Sequence, residues 1–261
     1  MKRTLSFFLF AGLIMALLTS CAPAATPAPT TIPTPIPPTE TPIPPTATPS
    51  AMDAVVRLHW FGTSAFLYNG SKVIYFDPVG LRGTLPKADL IVITHAHGDH
   101  YSVPDLQQII EPNTKLIISP SISSVFENDK DNLGIDATIL NEGDTTDVDG
   151  VTIKAVPAYD TTFHQQGTGG VGYLVTIDGL VLYTAGGTAA YPEMAGYAPD
   201  IALVPVYSKA AAQAIADLLP AKVIILHHTS YYAAASVANL LNPTYAPAKT
   251  FVALEAGPLN P

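Results

Sequence analysis

The feature of this sequence that most constrains its fold is a group of ligand-type side chains directly after a short apolar run. Residues 90–94 read Leu-Ile-Val-Ile-Thr, which is typical of a strand covered on both faces. The chain continues as His95-Ala96-His97-Gly98-Asp99-His100. Side chains on a loop that leaves a buried strand are held by a rigid scaffold and can converge on one ligand. The sequence therefore predicts a functional site at this end of the strand.

The donor types in this loop indicate that the ligand is a metal ion. Imidazole nitrogens and carboxylate oxygens suit zinc, manganese or iron, and the absence of thiolates favours a catalytic centre over a closed structural one. A lone histidine is more often an ordinary structural residue, but that explanation does not account for three histidines within one turn. We expect zinc, as one or two ions, with manganese or iron as alternatives.

The rest of the folded part alternates strand and helix patterns. Strands are predicted at residues 55–58, 65–68, 72–76, 90–94, 115–118, 151–155, 172–177, 181–183, 201–206 and 223–226. Amphipathic helices are predicted at residues 103–110, 121–128, 210–219 and 230–241. Asn69-Gly70 is a hairpin signal between the second and third strands. Strand groups with helices between them predict a layered α/β sandwich.

The N-terminal region has the pattern of an export signal. Lys2 and Arg3 precede an apolar run over residues 5–18, which is too short for a comfortable membrane span. The run ends at Leu-Thr-Ser-Cys21, which resembles a bacterial lipobox. Cleavage before Cys21 would leave a thiol that carries lipid. We expect a lipoprotein signal peptide over residues 1–20 and a protein anchored to the outer face of the bacterial cell membrane. The alternative is a stray cysteine after an ordinary signal peptide.

Residues 22–50 consist almost entirely of Pro, Thr and Ala, which predicts an extended, disordered tether. The predicted organisation is therefore a signal peptide, a lipidated linker over residues 21–52 and one folded domain over residues 53–261. The formal net charge is −9, with only 12 Lys and Arg residues. This composition argues against nucleic acid as a partner, and we expect a small-molecule substrate. The sequence does not indicate an oligomeric state.

The His-x-His-x-Asp-His loop resembles that of the metallo-β-lactamase superfamily, and the resemblance extends over most of residues 55–257. Within this superfamily the chain resembles the ascorbate-6-phosphate lactonase-like and related uncharacterised hydrolases. Supporting motifs are Trp60-Phe61-Gly62, Phe76-Asp77-Pro78, Val156-Pro157-Ala158-Tyr159 and Gly170-Val171-Gly172-Tyr173. The resemblance implies a four-layer αββα sandwich that hydrolyses a lactone, another cyclic ester or amide, or a phosphoester.

The resemblance also implies the roles of individual residues. It assigns His95, His97 and His164 to a first metal ion and Asp99, His100 and His227 to a second. Asp99 would also orient or deprotonate the nucleophile, and Asp77 would hold the ligand loop in place. The adjacent His228 is the alternative to His227, because two neighbouring histidines leave the register open.

The chain departs from the family at Gly187, where relatives carry an aspartate that bridges the two metal ions. Losing this shared charge should weaken the second site, and Gly187→Asp is predicted to raise the metal stoichiometry toward two. Asp160 is a possible compensating carboxylate, or else it only caps a local turn. Two functions therefore remain open: a metallo-hydrolase, and a degenerate surface lipoprotein that binds or stores metal without catalysis.

Overall fold

The computed structural model describes residues 50–160 and 164–260, apart from the side chain of Tyr231. The predicted signal peptide, Cys21 and nearly all of the predicted linker lie outside the described residues. A short helix, α1 (Ala51–Ala54), begins two residues before the predicted domain start at residue 53. A strand was predicted at residues 55–58, and this was wrong for Val55–Arg57, which form a 3₁₀ turn.

The first sheet contains six strands in chain order. Strands β1, β2 and β3 are antiparallel, with the β2–β3 hairpin at the predicted Asn69-Gly70 turn, whereas β3 to β6 are parallel. Two helices, α2 and α3, follow β4 and β5 respectively. The bounds are β1 Leu58–Gly62, β2 Ala65–Asn69, β3 Val73–Phe76, β4 Leu90–Ile93, α2 Val103–Ile109, β5 Lys115–Ile118, α3 Ser123–Leu133 and β6 Ala137–Ile139.

The second sheet contains seven strands in the order β13-β12-β11-β10-β9-β8-β7. Strands β7 to β10 pair antiparallel and β10 to β13 pair parallel. The bounds are β7 Thr145–Val148, β8 Val151–Pro157, β9 Val171–Ile177, β10 Leu180–Thr184, β11 Ile201–Pro205, α4 Lys209–Leu218, β12 Val223–His227, α5 Tyr231–Tyr245 and β13 Thr250–Val252.

The domain has four layers, which are α2 and α3, the first sheet, the second sheet, and α4 and α5. Three clusters of buried side chains lie between successive layers. The central cluster joins the two sheets and contains Phe66 and Val92 from the first and Leu203 and Ile225 from the second. A second cluster packs α4 and α5 on the outer face of the second sheet, and a third packs α2 and α3 on that of the first. Each large apolar side chain buried in this way stabilises the fold by about 1.5–3 kcal/mol. The structure thus confirms an α/β fold with two mixed sheets.

Strand β4 explains why the sequence before the histidine loop is continuously apolar. Leu90 and Val92 face the central cluster, whereas Ile91 and Ile93 face the helices. Because successive side chains of a strand point to opposite faces, both faces of β4 require apolar residues.

Among the described residues, no helix is both long and apolar enough to cross a lipid bilayer.

Candidate metal centre

The histidine loop leaves the carboxyl end of β4 and is fixed by Asp77, which follows the neighbouring parallel strand β3. The buried Asp77 carboxylate accepts hydrogen bonds from the backbone nitrogen of Thr94 at 2.7 Å and from its hydroxyl at 2.9 Å. It also lies 2.8 Å from Nδ1 of His100. Carboxylate oxygens accept hydrogen bonds, so Nδ1 of His100 donates to Asp77, and in a neutral imidazole this leaves Nε2 as the acceptor. Asp77 therefore sets the orientation of a loop imidazole.

The first group of ligand-type atoms comprises His95, His97 and His164, whose ligand atoms lie within 4.8 Å of one another. His95 and His97 come from the loop after β4, and His164 lies between β8 and β9. Nδ1 of His95 lies 3.0 Å from the Thr94 hydroxyl, and Nδ1 of His164 lies 3.0 Å from Oδ2 of Asp160. Nε2 of both imidazoles is buried and has no hydrogen-bond partner in the described parts of the chain.

The two unpaired nitrogens, Nε2 of His95 and Nε2 of His164, bear on whether the first group fits a metal ion. A buried polar atom without a partner costs about 1–3 kcal/mol, and native proteins rarely leave one unsatisfied. Three imidazoles converge here, with the second ring nitrogen of two of them held by a polar neighbour, which is how proteins orient metal-ligating histidines. The residues therefore fit a metal ion.

The second group comprises Asp99, His100 and His228, with ligand atoms again within 4.8 Å of one another. Oδ2 of Asp99 lies 3.3 Å from Nε2 of His228 and 3.8 Å from Nε2 of His100. His228 adopts a left-handed backbone conformation with φ of 63°, which is uncommon for a residue with a side chain. This conformation brings the side chain at the end of β12 to the histidine loop.

His227, which was expected to be the second-group ligand, lies outside this group. It is the last residue of β12, and its side chain follows Ile225 onto the face between the sheets, where it packs edge-on against Phe66 with ring centroids 5.4 Å apart. Nδ1 of His227 lies 3.1 Å from the carbonyl oxygen of Thr63. Adjacent residues of a strand face opposite sides, so His227 points into the core while the turn after it presents His228.

The turn between β1 and β2 contacts both elements that carry the second group. The Ser64 hydroxyl donates a hydrogen bond to the carbonyl oxygen of Asp99 in the loop. The Thr63 carbonyl accepts from the backbone nitrogen of His228 at 3.0 Å, in addition to its contact with His227. This turn belongs to the first sheet and β12 to the second, so these contacts fix the spacing of the second group.

No side chain from residue 187 enters the site, because this residue is glycine. A Cβ atom at Gly187 would come within 2.7 Å of Nε2 and 2.8 Å of Nδ1 of His164. The Asp160 carboxylate lies 3.0 Å from Nδ1 of His164 and also accepts a hydrogen bond from the backbone nitrogen of His164 at 3.3 Å. The contacts of Asp160 are therefore those of a residue that positions His164.

The electrostatic environment favours the protonation states that a metal ion requires. Burial and neighbouring imidazoles lower the pKa of His95, His97 and His228, so these side chains are neutral at pH 7. Burial opposes ionisation of Asp99, but the imidazoles of His100 and His228 outweigh it and hold the Asp99 pKa below its usual value. Three neutral imidazoles and one carboxylate are ligands in their binding forms.

Two cavities flank the imidazoles of the first group. The larger has a volume of about 330 Å³ and is lined by His95, Ala96, His97, Ser121, His164, Gln165, Thr168 and Gly170. The smaller has a volume of about 160 Å³ and is lined by His95, His97, Asp99, His100, His164, Tyr207 and His228. His95, His97 and His164 therefore line both cavities.

Tyr207 was not predicted from the sequence. It follows β11, it is 47% exposed, and its ring centroid lies 5.9 Å from that of His228. Burial, together with the negative charges of Asp160 and Asp99, raises the pKa of Tyr207 to about 12, so its hydroxyl remains a hydrogen-bond donor at neutral pH. Ligand sites in α/β sheets form at the carboxyl ends of parallel strands, and this rule could have directed attention to the residues after β11.

Comparison with known proteins identifies relatives of this chain in sequence and in fold. Residues 57–228 match the family model described as a beta-lactamase superfamily domain. The chain is 33% identical over 202 residues to a UPF0173 metal-dependent hydrolase of Thermococcus kodakarensis, covering 68% of this chain and 86% of the relative. The corresponding protein of Thermococcus onnurineus is 35% identical over 199 residues, with the same coverage. A crystal structure of a protein assigned as a metal-dependent hydrolase from Parabacteroides distasonis superimposes with a TM-score of 0.62 at 29% identity, covering 75% of this chain and 90% of that one.

Proposed function

The chain belongs to the metallo-β-lactamase superfamily of metal-dependent hydrolases, and from this premise we propose that it hydrolyses a lactone, another cyclic ester or amide, or a phosphoester. The metal ion would be held by His95, His97 and His164. Zinc suits three imidazoles with an open fourth position, and manganese and iron accept the same donors. A lactone substrate would agree with the similarity of the sequence to ascorbate-6-phosphate lactonase-like hydrolases.

The observation that carries this proposal is the pair of buried Nε2 atoms of His95 and His164, which have no partner among the described residues. The lowered pKa of His95 keeps its imidazole neutral at pH 7, and Nδ1 of each imidazole contacts a polar neighbour, Thr94 for His95 and Asp160 for His164. When bound, a divalent metal ion polarises the oxygen of the bond to be cleaved and acidifies water. Without such an ion the two nitrogens would remain unsatisfied.

Asp99 and Tyr207 supply the remaining chemistry from the smaller cavity. The Asp99 carboxylate is 48% exposed and ionised, so it accepts the proton of the attacking water and orients that water toward the first group. The neutral Tyr207 hydroxyl donates a hydrogen bond to the oxygen on which negative charge develops. His228 and His100 hold the Asp99 carboxylate between them.

The second group is a candidate for a further metal ion of lower affinity. Its ligands are Asp99, His100 and His228, and the two groups share no carboxylate among the described residues. Two divalent ions repel each other strongly when no negative charge lies between them. We therefore expect the first ion to bind more tightly than the second.

A panel of substrates tests the hydrolase proposal. The metal-stripped protein is reconstituted with zinc, manganese or iron and assayed on a γ-lactone, a cyclic amide and bis(4-nitrophenyl) phosphate. We expect turnover of at least one compound, its loss on adding a chelator, and its loss in His97→Ala. His59→Ala is the matched control, because His59 contacts the carbonyl of Gly257 and neither metal group. A protein that binds metal but turns over no compound would refute the hydrolase proposal.

The second candidate function is a surface protein that binds or stores metal without catalysis. The absence of a carboxylate at Gly187 and the packing of His164 against it favour this alternative. It predicts metal binding with the same histidine dependence and no turnover in the assay above. The substrate panel therefore separates the two functions.

We also propose that the protein is exported and anchored by lipid on Cys21, so that it acts on a small molecule outside the cell and not on nucleic acid. This proposal rests on the sequence alone, in which Lys2, Arg3 and an apolar run precede Cys21. The test is incorporation of radiolabelled palmitate into the full chain in a bacterial host. Cys21→Ser should abolish the label, whereas equal labelling of both proteins would contradict the proposal.

A further inference from the structure

The larger cavity beside the first group has an uncharged wall. Beyond the three imidazoles, its polar side chains are Ser121, Gln165 and Thr168. No Lys, Arg, Asp or Glu is present among its lining residues in the described part of the chain. The smaller cavity differs, because it contains the Asp99 carboxylate. The two sides of the site therefore offer different chemistry to the two halves of a substrate.

This uncharged wall is built from segments that are held in place. The backbone nitrogen of Ser121 donates to the carbonyl of Gly169 at 3.0 Å, and the Ser121 hydroxyl lies 2.8 Å from that of Ser119. A Cβ at Gly169, where φ is 87°, would lie 3.0 Å from the Ser121 nitrogen, so the close approach of the two segments requires glycine. Thr168 closes its own turn by donating to the carbonyl of Gln165 at 2.7 Å.

The chemistry of this wall selects against a charged group. A carboxylate or phosphate seated against Ser121, Gln165 and Thr168 would give up part of its water and meet no Lys or Arg side chain on the wall, which disfavours the charged group. An amide or hydroxyl group would exchange its water for hydrogen bonds with Ser121 and Gln165.

We infer that this cavity binds the part of the substrate remote from the reacting bond, and that this part is polar and uncharged. The inference rests on the proposed hydrolase function. It narrows the substrate class to compounds in which the part remote from the cleaved bond carries no charge. Phosphate, if present in the substrate, lies at the bond that is cleaved and not at the remote end.

A matched pair of esters tests this selectivity. Mono-4-nitrophenyl adipate carries a carboxylate at its remote end, and 4-nitrophenyl 6-amino-6-oxohexanoate carries a carboxamide of nearly the same shape. The zinc-loaded protein should hydrolyse the amide-ended ester with a kcat/KM at least about 10-fold higher, since a site built for one polar group rejects its mismatched analogue. Gln165→Lys should reduce or invert this ratio. Gln166→Lys adds the same charge at an exposed neighbour that does not line the cavity, and should leave the ratio unchanged.

A binding experiment separates failure of this inference from failure of the hydrolase proposal. The Kd values of glutaramide and of its monoacid, glutaramate, are measured on the zinc-loaded protein from NMR shifts at Thr168 and Gly170. The ratio of the two Kd values is compared between Gln165→Lys and Gln166→Lys. Direct binding of the glutaramate carboxylate to zinc affects both variants equally, so it does not alter this comparison. If glutaramate binds more tightly relative to glutaramide only in Gln165→Lys, the result supports the inference, even if no ester is hydrolysed. Equal ratios in both variants, or no binding at millimolar concentrations, would overturn it.

Discussion

The imidazole of His164 occupies the space that a side chain at residue 187 would need, because a Cβ on Gly187 would lie 2.7 Å from Nε2 of His164. The sequence alone led to the hypothesis that Gly187→Asp restores a second metal ion. The structure adds that any side chain at this position must first displace a proposed ligand of the first group. Glycine at 187 and the observed position of His164 therefore depend on each other.

Gly187→Ala tests this dependence without adding a carboxylate. The methyl group should displace His164 and weaken zinc affinity by about 10-fold or more. Substitutions that disturb the orientation of a metal ligand typically lower metal affinity by about 10–100-fold. Isothermal titration of the metal-stripped protein measures the change. Gly98→Ala is the control, since a Cβ there meets no atom within 4 Å. Equal affinities in wild type and Gly187→Ala would show that His164 does not ligate from its observed position.

Asp160→Asn should weaken zinc binding while the stoichiometry stays unchanged. The amide can still accept from the backbone nitrogen of His164, but it lacks the charge that orients Nδ1 of that residue at 3.0 Å. We expect a loss of about 10-fold in affinity. The surface substitution Asp147→Asn serves as the control. If Asp160→Asn instead removes one equivalent of metal, Asp160 is itself a ligand and compensates for the missing carboxylate.

Tyr207→Phe should lower kcat for any hydrolysed substrate by about 10²-fold with little change in KM, because a donor to developing charge acts mainly in the transition state. Removing the hydroxyl leaves the ring that packs against His228. Tyr232→Phe, at an 83% exposed position outside both cavities, is the matched control. A change in KM alone would assign Tyr207 to substrate binding.

The stability of the metal-free protein should fall as the pH is lowered from 7.5 to 5.5. Burial and the neighbouring His228 hold the pKa of native His227 well below its ordinary value of 6.5. The unfolded chain therefore binds a proton near pH 6.5 that the native state does not, and stability is lost as pH falls through 6.5. Each such histidine contributes a slope of up to about 1.4 kcal/mol per pH unit.

His227→Asn isolates the contribution of this residue. Asparagine retains a donor for the carbonyl of Thr63 but does not titrate. Urea unfolding at several pH values should give a shallower pH slope for the variant than for wild type, whatever its stability at pH 7.5. Parallel slopes would show that His227 binds a proton as readily in the native state as in the unfolded chain.

The local parts of this site could be predicted from the sequence. The apolar run of β4 and the loop after it are contiguous, so residue types alone indicated a buried strand followed by ligands. His164 lies far from the loop in sequence, and its position was predicted only through resemblance to a family. The choice between His227 and His228 depended on where β12 ends and on the left-handed conformation of His228, which no local pattern specifies.

Other features were missed for physical reasons. Strands β6, β7 and β13 were not predicted, because each is short and lies at a sheet edge. In β7 the sequence Thr-Thr-Asp-Val lacks an apolar run, since edge strands need bury only part of one face. Ser121 and Tyr207 carry no motif, and they reach the site because the ends of β5 and β11 meet it. Such convergence is a property of the fold and not of the local sequence.

The most direct test of the central claim is the rate of hydrolysis measured as zinc is added stepwise to the metal-stripped protein, with bound metal determined in the same samples. We predict no hydrolysis without metal and a rate that rises in proportion to the first bound equivalent, with both binding and rate lost in His97→Ala. Full occupancy of the first equivalent without hydrolysis of any lactone, amide or phosphoester would contradict the hydrolase function.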